Sequence, residues 1–203
     1  MNKEQHNILW NNFRKGDKDA INDLYRKYSH KLYSYGIKIS SEDELVKDCI
    51  QEVFIQLIEK SKSINITSGF QVYLFKSFRN KLFEELRKDK RNKHILTFLP
   101  IETEQCEKSH EQMIVDSEEQ IVIRRKLTSI INELSGHQQE IIYLKYTEGF
   151  SYEEISKMLS INIASARKLI YRTIKMIKEK LGTGSLFLFI ILLKINPLKK
   201  TGC

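Results

Sequence analysis

The chain has 203 residues, of which 41% are hydrophobic and 30% are charged, with a formal net charge of +8 and a pI near 9.2. This composition suits a soluble helical protein better than a disordered one. The basic surplus fits a nucleic acid or an anionic membrane surface as a partner, and it fits equally a soluble protein with a merely basic surface. Three scattered cysteines without a C-x-x-C pair indicate neither a zinc knuckle nor a disulfide framework. The N-terminus also lacks an apolar signal core, so we expect a cytoplasmic protein.

Helical periodicity dominates the first half of the chain, from about residue 18 to residue 93. Apolar residues recur at helical spacing in "DAINDLYRKYSHKLYSYGIKI", with Tyr25 among them. The next stretch, "SSEDELVKDCIQEVFIQLIEK", opens with Ser41 and Glu44, a capping-box pattern that predicts the start of a helix. Serines, an asparagine and Gly69 then predict a loop before a third helix.

Two polar patterns on these helices stand apart from the apolar stripes. Asp48, Gln51 and Glu52 are spaced at i, i+3 and i+4, so they share one face of the second helix. The third helix, in "FQVYLFKSFRNKLFEELRKDKRNK", is basic and interleaved with aromatic residues. Aromatic rings beside cations suit unstacked bases, although we expect most of its phenylalanines to lie in the core.

The composition shifts after this helix. Between residues 100 and 120 the chain is rich in Glu and Asp, and Lys108 is its only lysine or arginine. No apolar period is visible before Ile121, so we predict a flexible acidic linker between two domains. Near the C-terminus, the apolar run at residues 186–193 is far shorter than the roughly 20 residues that span a bilayer. We assign no role to this run.

The stretch "FSYEEISKMLSINIASARKLIYRTIKMIKEKL" predicts a helix, a turn and a longer helix. Ser151 and Glu154 form a capping box that starts the first helix at Tyr152. The turn is "SIN" at residues 160–162, and Ser160 stands where many such units have glycine. This spacing matches a helix-turn-helix, whose second helix enters the major groove of DNA.

The outward side of the second of these helices is basic. Glu179 is the only acid between residues 163 and 181. Arginine and lysine can contact guanine edges or phosphates, and serine and tyrosine can contact phosphates, whereas acids would repel the DNA backbone. The predicted DNA-contacting residues are Ser165, Arg167, Lys168, Tyr171 and Arg172.

Taken together, these motifs resemble the extracytoplasmic-function (ECF) group of bacterial RNA polymerase sigma factors. "DELVKDCIQEVFIQLIEK" looks like the family's core-binding helix, and "YLFKSFRNKLFEELRK" looks like its −10 helix through Asn80 and Arg87. "LSINIASARKLIYRTIKMI" is similar to its −35 helix. Lys168 and Leu169 depart from a typical serine and arginine, and Phe78 departs from a usually small residue. We therefore expect an unusual promoter preference.

The resemblance implies an all-α fold of two small helical domains joined by a flexible acidic linker, the second a helix-turn-helix domain. The expected boundaries are 1–95 for a region 2-like domain, 96–116 for the linker, 117–182 for a region 4-like domain and 183–203 for the apolar tail. Core polymerase would bind Asp48, Gln51 and Glu52. The melted −10 element would bind Lys76, Arg79, Asn80 and Arg87, and the duplex −35 element would bind Ser165, Arg167, Lys168, Tyr171 and Arg172.

The implied partners are core RNA polymerase, promoter DNA and an anti-sigma factor, with no small-molecule substrate, cofactor or metal. We expect a specificity subunit rather than an enzyme, because no H-E-x-x-H, P-loop, G-x-S-x-G or metal-spaced carboxylate pattern occurs. The alternative is a stand-alone helix-turn-helix transcriptional regulator. That alternative explains the second half of the chain but leaves the Asp48 face and the Asn80 helix without a role.

Overall fold

The structure is a computed structural model that describes residues 3–61, 69–88, 126 and 128–181. Across these ranges the chain is helical and contains no strand, which confirms the all-α prediction. The helices whose bounds are described are α1 (Lys3–Arg14), α2 (Lys18–Gly36), α3 (Asp43–Glu59), α4 (Phe70–Lys88), α5 (Gly136–Ile142), α6 (Tyr152–Leu159) and α7 (Ile163–Leu181), with a π-helical segment at Tyr143–Thr147. Residues 128–132 are helical as well. The predicted linker and apolar tail lie outside the described residues.

The chain divides into two compact units, Met1–Leu96 with Glu153–Asn162, and Thr97–Tyr152 with Ile163–Cys203. Helices α1 to α4 belong to the first unit, and α5, the π-helical segment and α7 belong to the second. The domain boundaries proposed from the sequence stay a prediction. Of the helices that the structure describes, none is long and apolar enough to cross a membrane.

The core of the first unit is aromatic and joins α2 to α4. Tyr28 meets the ring of Phe70 edge-on, with centroids 5.4 Å apart, and Tyr35 lies 5.6 Å from Phe75. These rings are buried, and buried aromatic pairs stabilise a core beyond the apolar area they remove from water. Tyr25, predicted in the same stripe, lies at its margin and is 40% exposed.

Helix α1 was not predicted from the sequence. Trp10 stacks on Phe13 of the same helix at 5.2 Å, and its ring also lies 5.0 Å from Phe70 of α4. Phe13 is buried. The N-terminal residues therefore extend the aromatic core, although their apolar spacing is too sparse to reveal an amphipathic helix.

The capping box predicted at Ser41 and Glu44 is wrong. Helix α3 begins at Asp43, and its cap residue Glu42 makes no side-chain capping hydrogen bond. Glu44 instead accepts a hydrogen bond from Lys47 at 2.9 Å. The Glu42 amide donates to the hydroxyl of buried Ser40 at 3.2 Å, a local turn that competes with the predicted cap.

The last residue of α2, Gly36, allows α2 to pack closely on its neighbours. A Cβ atom there would lie 2.6 Å from Cγ1 of Val46 and 2.7 Å from Cζ of Phe78, and both distances are too short for real atoms. Phe78 is fully buried at this contact. Because glycine at position 36 has no side chain, it leaves room for the large Phe78 side chain, which departs from the family pattern.

We predict that Gly36→Ala destabilises the first unit by about 1–3 kcal/mol, because the added methyl group overpacks the contact with Val46 and Phe78. Urea unfolding followed by circular dichroism measures the change. Asn22→Ala, at an exposed position of α2, is the matched control and should change stability little. A Gly36→Ala variant as stable as the wild type would contradict this packing.

Candidate nucleic-acid and protein interfaces

The predicted polar face of α3 is present. Asp48 and Gln51 are exposed on it, and Glu52 is half-buried. Glu52 is also held from a second helix, because its Oε1 accepts hydrogen bonds from Lys81 of α4 at 2.7 Å and from Gln56 at 3.3 Å. The three predicted residues therefore share a surface, and one of them connects that surface to α4.

Lys81 is the centre of an ion-pair cluster between α3 and α4. Its Nζ lies 2.7 Å from Glu52 and 2.7 Å from Glu85, and its side chain is only 13% exposed. Hydrogen bonds to these two carboxylates raise the pKa of Lys81, so it stays charged throughout the physiological range. Although Lys81 belongs to the basic segment of α4, it contacts carboxylates of α3 and α4.

The sequence reading missed an exposed apolar residue on the polar face of α3. Ile55 is 54% exposed and lies four residues after Gln51 and seven after Asp48, so the three share one side of the helix. Its signal in the sequence was weak, because a single isoleucine outside the buried stripe is common on helices. We define the polymerase face, named for the binding role expected from the sequence, as Asp48, Gln51, Glu52 and Ile55.

The basic side of α4 carries the residues predicted to bind the −10 element. Lys76, Asn80 and Arg87 lie at i, i+4 and i+11, which places them on one face, and Asn80 and Arg87 are exposed. Arg79 lies beside this face, with its Cζ 4.5 Å from the centroid of the Phe83 ring. We define the α4 face as the three residues Lys76, Asn80 and Arg87 together with Arg79 at their edge.

The phenylalanines of α4 are structural. Phe75, Phe78 and Phe83 are all buried, as expected for most of them from the sequence. Their rings are not exposed for bases to stack on them. The α4 face therefore offers polar and cationic side chains, rather than aromatic rings, to a partner.

The turn between α6 and α7 has the predicted position. Helix α6 starts at Tyr152, and α7 starts at Ile163 directly after the predicted turn. Ser160 adopts the left-handed conformation, with φ of +55°, where comparable units have glycine. The Ile161 amide then donates to the Ser156 carbonyl at 3.0 Å, which closes the helix end as in a Schellman motif.

Helix α7 presents one exposed and one buried side. Ala166 and Ile170 are buried, and the Thr173 hydroxyl donates to the Leu169 carbonyl at 2.8 Å. The five predicted DNA-contacting residues are all exposed, and the ring of Tyr171 is 69% exposed. We define the α7 face as these five residues: Ser165, Arg167, Lys168, Tyr171 and Arg172.

The described residues hold no group of three or more His, Cys, Asp or Glu side chains that could bind a metal ion. Cys49 is a buried thiol of α3, and its burial raises its pKa to about 11. At neutral pH the thiol is therefore protonated and serves as an apolar part of the core.

Comparison with known families matches both halves of the chain. Residues 24–92 match the profile "Sigma-70 region 2", and residues 124–177 match "Sigma-70, region 4". The two matches together span more than half of the chain, and they include the polymerase face, the α4 face and the α7 face. Fold and matches together define a two-region promoter-recognition protein.

Similarity to individual proteins shows which group within this class the chain belongs to. The chain is 22% identical over 165 residues to the ECF RNA polymerase sigma factor SigM of Bacillus subtilis, covering 81% of this chain and 97% of SigM. It is 26% identical over 177 residues to the ECF RNA polymerase sigma-E factor of Escherichia coli K12, covering 85% and 92% of the two chains. The chain belongs to the sigma-70 family, in its extracytoplasmic-function group, rather than to the stand-alone regulators.

Solved structures share the fold. The structure of CnrH in complex with the cytosolic domain of CnrY aligns with a TM-score of 0.55 at 17% identity, covering 87% of this chain and 96% of CnrH. The sigma factor RpoE, in complex with the anti-sigma factor NepR from Bartonella quintana, aligns with a TM-score of 0.52 at 21% identity. That alignment covers 80% of this chain and 98% of RpoE.

The left-handed Ser160 gives a test of the turn. We predict that Ser160→Gly keeps or raises stability, whereas Ser160→Val lowers it by about 1–2 kcal/mol, because a β-branched residue clashes in this conformation. Thermal unfolding monitored by circular dichroism separates the two variants. If valine and glycine gave the same stability, Ser160 would not be left-handed in solution.

Proposed function

We propose that this sigma factor directs core RNA polymerase to its promoters through the polymerase face, the α4 face and the α7 face. It would act in the cytoplasm as a non-enzymatic specificity subunit that binds core polymerase, recognises two promoter elements and helps to open the −10 region. The observation that carries the proposal is the pairing of the polymerase face and the α4 face in one packed unit of a chain that also carries a helix-turn-helix.

The polymerase face would dock on a basic helical surface of core polymerase. Two exposed groups, Asp48 and Gln51, provide charge and hydrogen bonds, and Ile55, one turn beyond Gln51, provides apolar area. Polar and charged groups give an interface its orientation, while an apolar residue that becomes buried in the contact contributes binding energy. Glu52 would contribute a carboxylate that Lys81 already holds in place.

The α4 face would hold the melted −10 element. Asn80 can donate to and accept from base edges, and Lys76 and Arg87 can neutralise phosphates. Arg79 adds a planar guanidinium over Phe83, and guanidinium planes stack on unpaired bases. Because these groups would contact single-stranded DNA better than duplex, binding would shift the equilibrium towards the open form.

The α7 face would read the −35 element as duplex. Ser165, Arg167 and Lys168 lie in the first two turns of α7, the part of a recognition helix that reaches base edges. Tyr171 and Arg172 follow one turn later, where phosphate contacts are expected. We propose that Lys168 contributes to the unusual promoter preference of this chain.

The domain boundaries and one further partner complete the proposal. Residues 1–95 would form the region 2-like domain and 117–182 the region 4-like domain, with 96–116 as a linker. The solved RpoE is bound to an anti-sigma factor, which supports an anti-sigma partner for this chain as well.

Reconstitution with core polymerase tests the proposal. We predict that the wild-type protein makes transcription by core polymerase promoter-dependent. Ile55→Lys should weaken its binding to core at least tenfold, because it replaces the exposed apolar side chain of the polymerase face with a cation that the basic partner surface repels. Fluorescence titration of labelled protein with core polymerase measures the affinity.

Asn22→Lys is the matched control, since it adds the same charge at an exposed position of α2 and should leave the affinity unchanged. A protein that binds duplex DNA tightly but never stimulates core polymerase would contradict the proposed function. Wild-type affinity in Ile55→Lys would remove Ile55 from the polymerase face.

A further inference from the structure

Two cations approach the ring of Tyr152, the first residue of α6. The Nζ of Lys145 lies 4.6 Å from the ring centroid, and the Cζ of Arg167 lies 5.5 Å from it. Both distances are within the range of about 6 Å in which an aromatic face attracts a cation. The ring is half-buried, whereas Arg167 lies on the exposed side of α7.

Hydrogen bonds hold the backbone that leads into α6. After the π-helical segment, the Glu148 amide donates to the Tyr143 carbonyl at 3.2 Å, and the Phe150 amide donates to the Leu144 carbonyl at 3.1 Å. Lys145 also donates to the Phe150 carbonyl at 3.1 Å. Lys145 is therefore anchored to the backbone that leads into Tyr152.

We propose that Tyr152 is a positioning residue for Arg167 in reading the −35 element. This inference rests on the proposed role of the α7 face. An arginine side chain has many rotamers, and holding it in one geometry before DNA binds reduces the ordering cost at the moment of contact. A guanidinium attracted to a nearby ring still presents N–H groups, and these recognise guanine or phosphate.

The second cation, Lys145, weakens the attraction between Arg167 and the ring, so that Arg167 can leave the ring. Lys145 and Arg167 carry like charges on one ring, so their repulsion opposes the attraction of Arg167 to the ring. Lys145 is held by the Phe150 carbonyl, and Arg167 is the cation that extends from α7 towards solvent. Tyr152 would thus limit the range of orientations of Arg167 without holding it away from the DNA.

The test compares holoenzymes made with full-length variants on a promoter library randomised across the −35 element, from which bound DNA is selected and sequenced. Arg167→Ala is expected to flatten the base preference at one position of the element. Tyr152→Leu, which removes the aromatic face, should reduce the preference at that same position about two- to fivefold. Tyr152→Phe keeps the ring and should retain the wild-type preference.

The double variant Tyr152→Leu with Arg167→Ala should have the same base preference at that position as Arg167→Ala alone, because the ring acts through the arginine. A uniform loss across all sequences in Tyr152→Leu, or an equal loss in Tyr152→Phe, would overturn the inference. An Arg167→Ala profile identical to the wild type would refute the proposed reading by Arg167. A changed Arg167→Ala profile with an unchanged Tyr152→Leu profile would refute the Tyr152 role alone.

Discussion

The burial of one side of α4 is the constraint on which the first unit depends. Phe75 and Phe78 are completely buried against Tyr35 of α2, with ring centroids 5.6 and 6.2 Å apart. Burial of each such ring contributes about 1.5–3 kcal/mol, so α4 cannot rotate without losing much of the core. The opposite side, with Asn80 and Arg87, is consequently presented to solvent in one fixed orientation.

A second contact joins this helix to the polymerase face. Lys81 lies between Glu52 of α3 and Glu85 of α4, so the surface proposed to bind polymerase and the helix proposed to bind the −10 element are tied by a largely buried charge. A single packed unit can then place both surfaces at once. This is what a subunit requires if binding to polymerase is to bring its DNA-binding groups to a defined part of the promoter.

Periodicity predicted those parts of the structure that depend on local pattern. Helices α2 to α4, the start of α6 and the exposure of the α7 face all follow from the spacing of apolar residues and from turn chemistry. Helix α1 could not be predicted in this way, because its packing depends on the distant Phe70. The cap at Ser41 failed because Lys47 and Ser40 compete for the groups involved.

The same distinction applies to the site. The family resemblance identified all residues of the three faces except Ile55. Ile55 was identified only from its exposure, and Tyr152 only from the two cations that lie near its ring. The accommodation of Phe78 by Gly36 is likewise a relation between two helices that no single stretch of sequence contains.

The central claim is that the α4 face, fixed by its buried aromatic side, holds the −10 element open. Fluorescence of 2-aminopurine placed in the −10 element of a promoter used by the reconstituted holoenzyme measures this opening directly. The account predicts a rise in fluorescence with the wild-type protein and a much smaller rise with Asn80→Ala, while the affinity for core polymerase stays unchanged. Normal opening by Asn80→Ala, or no opening by the wild-type holoenzyme, would contradict it.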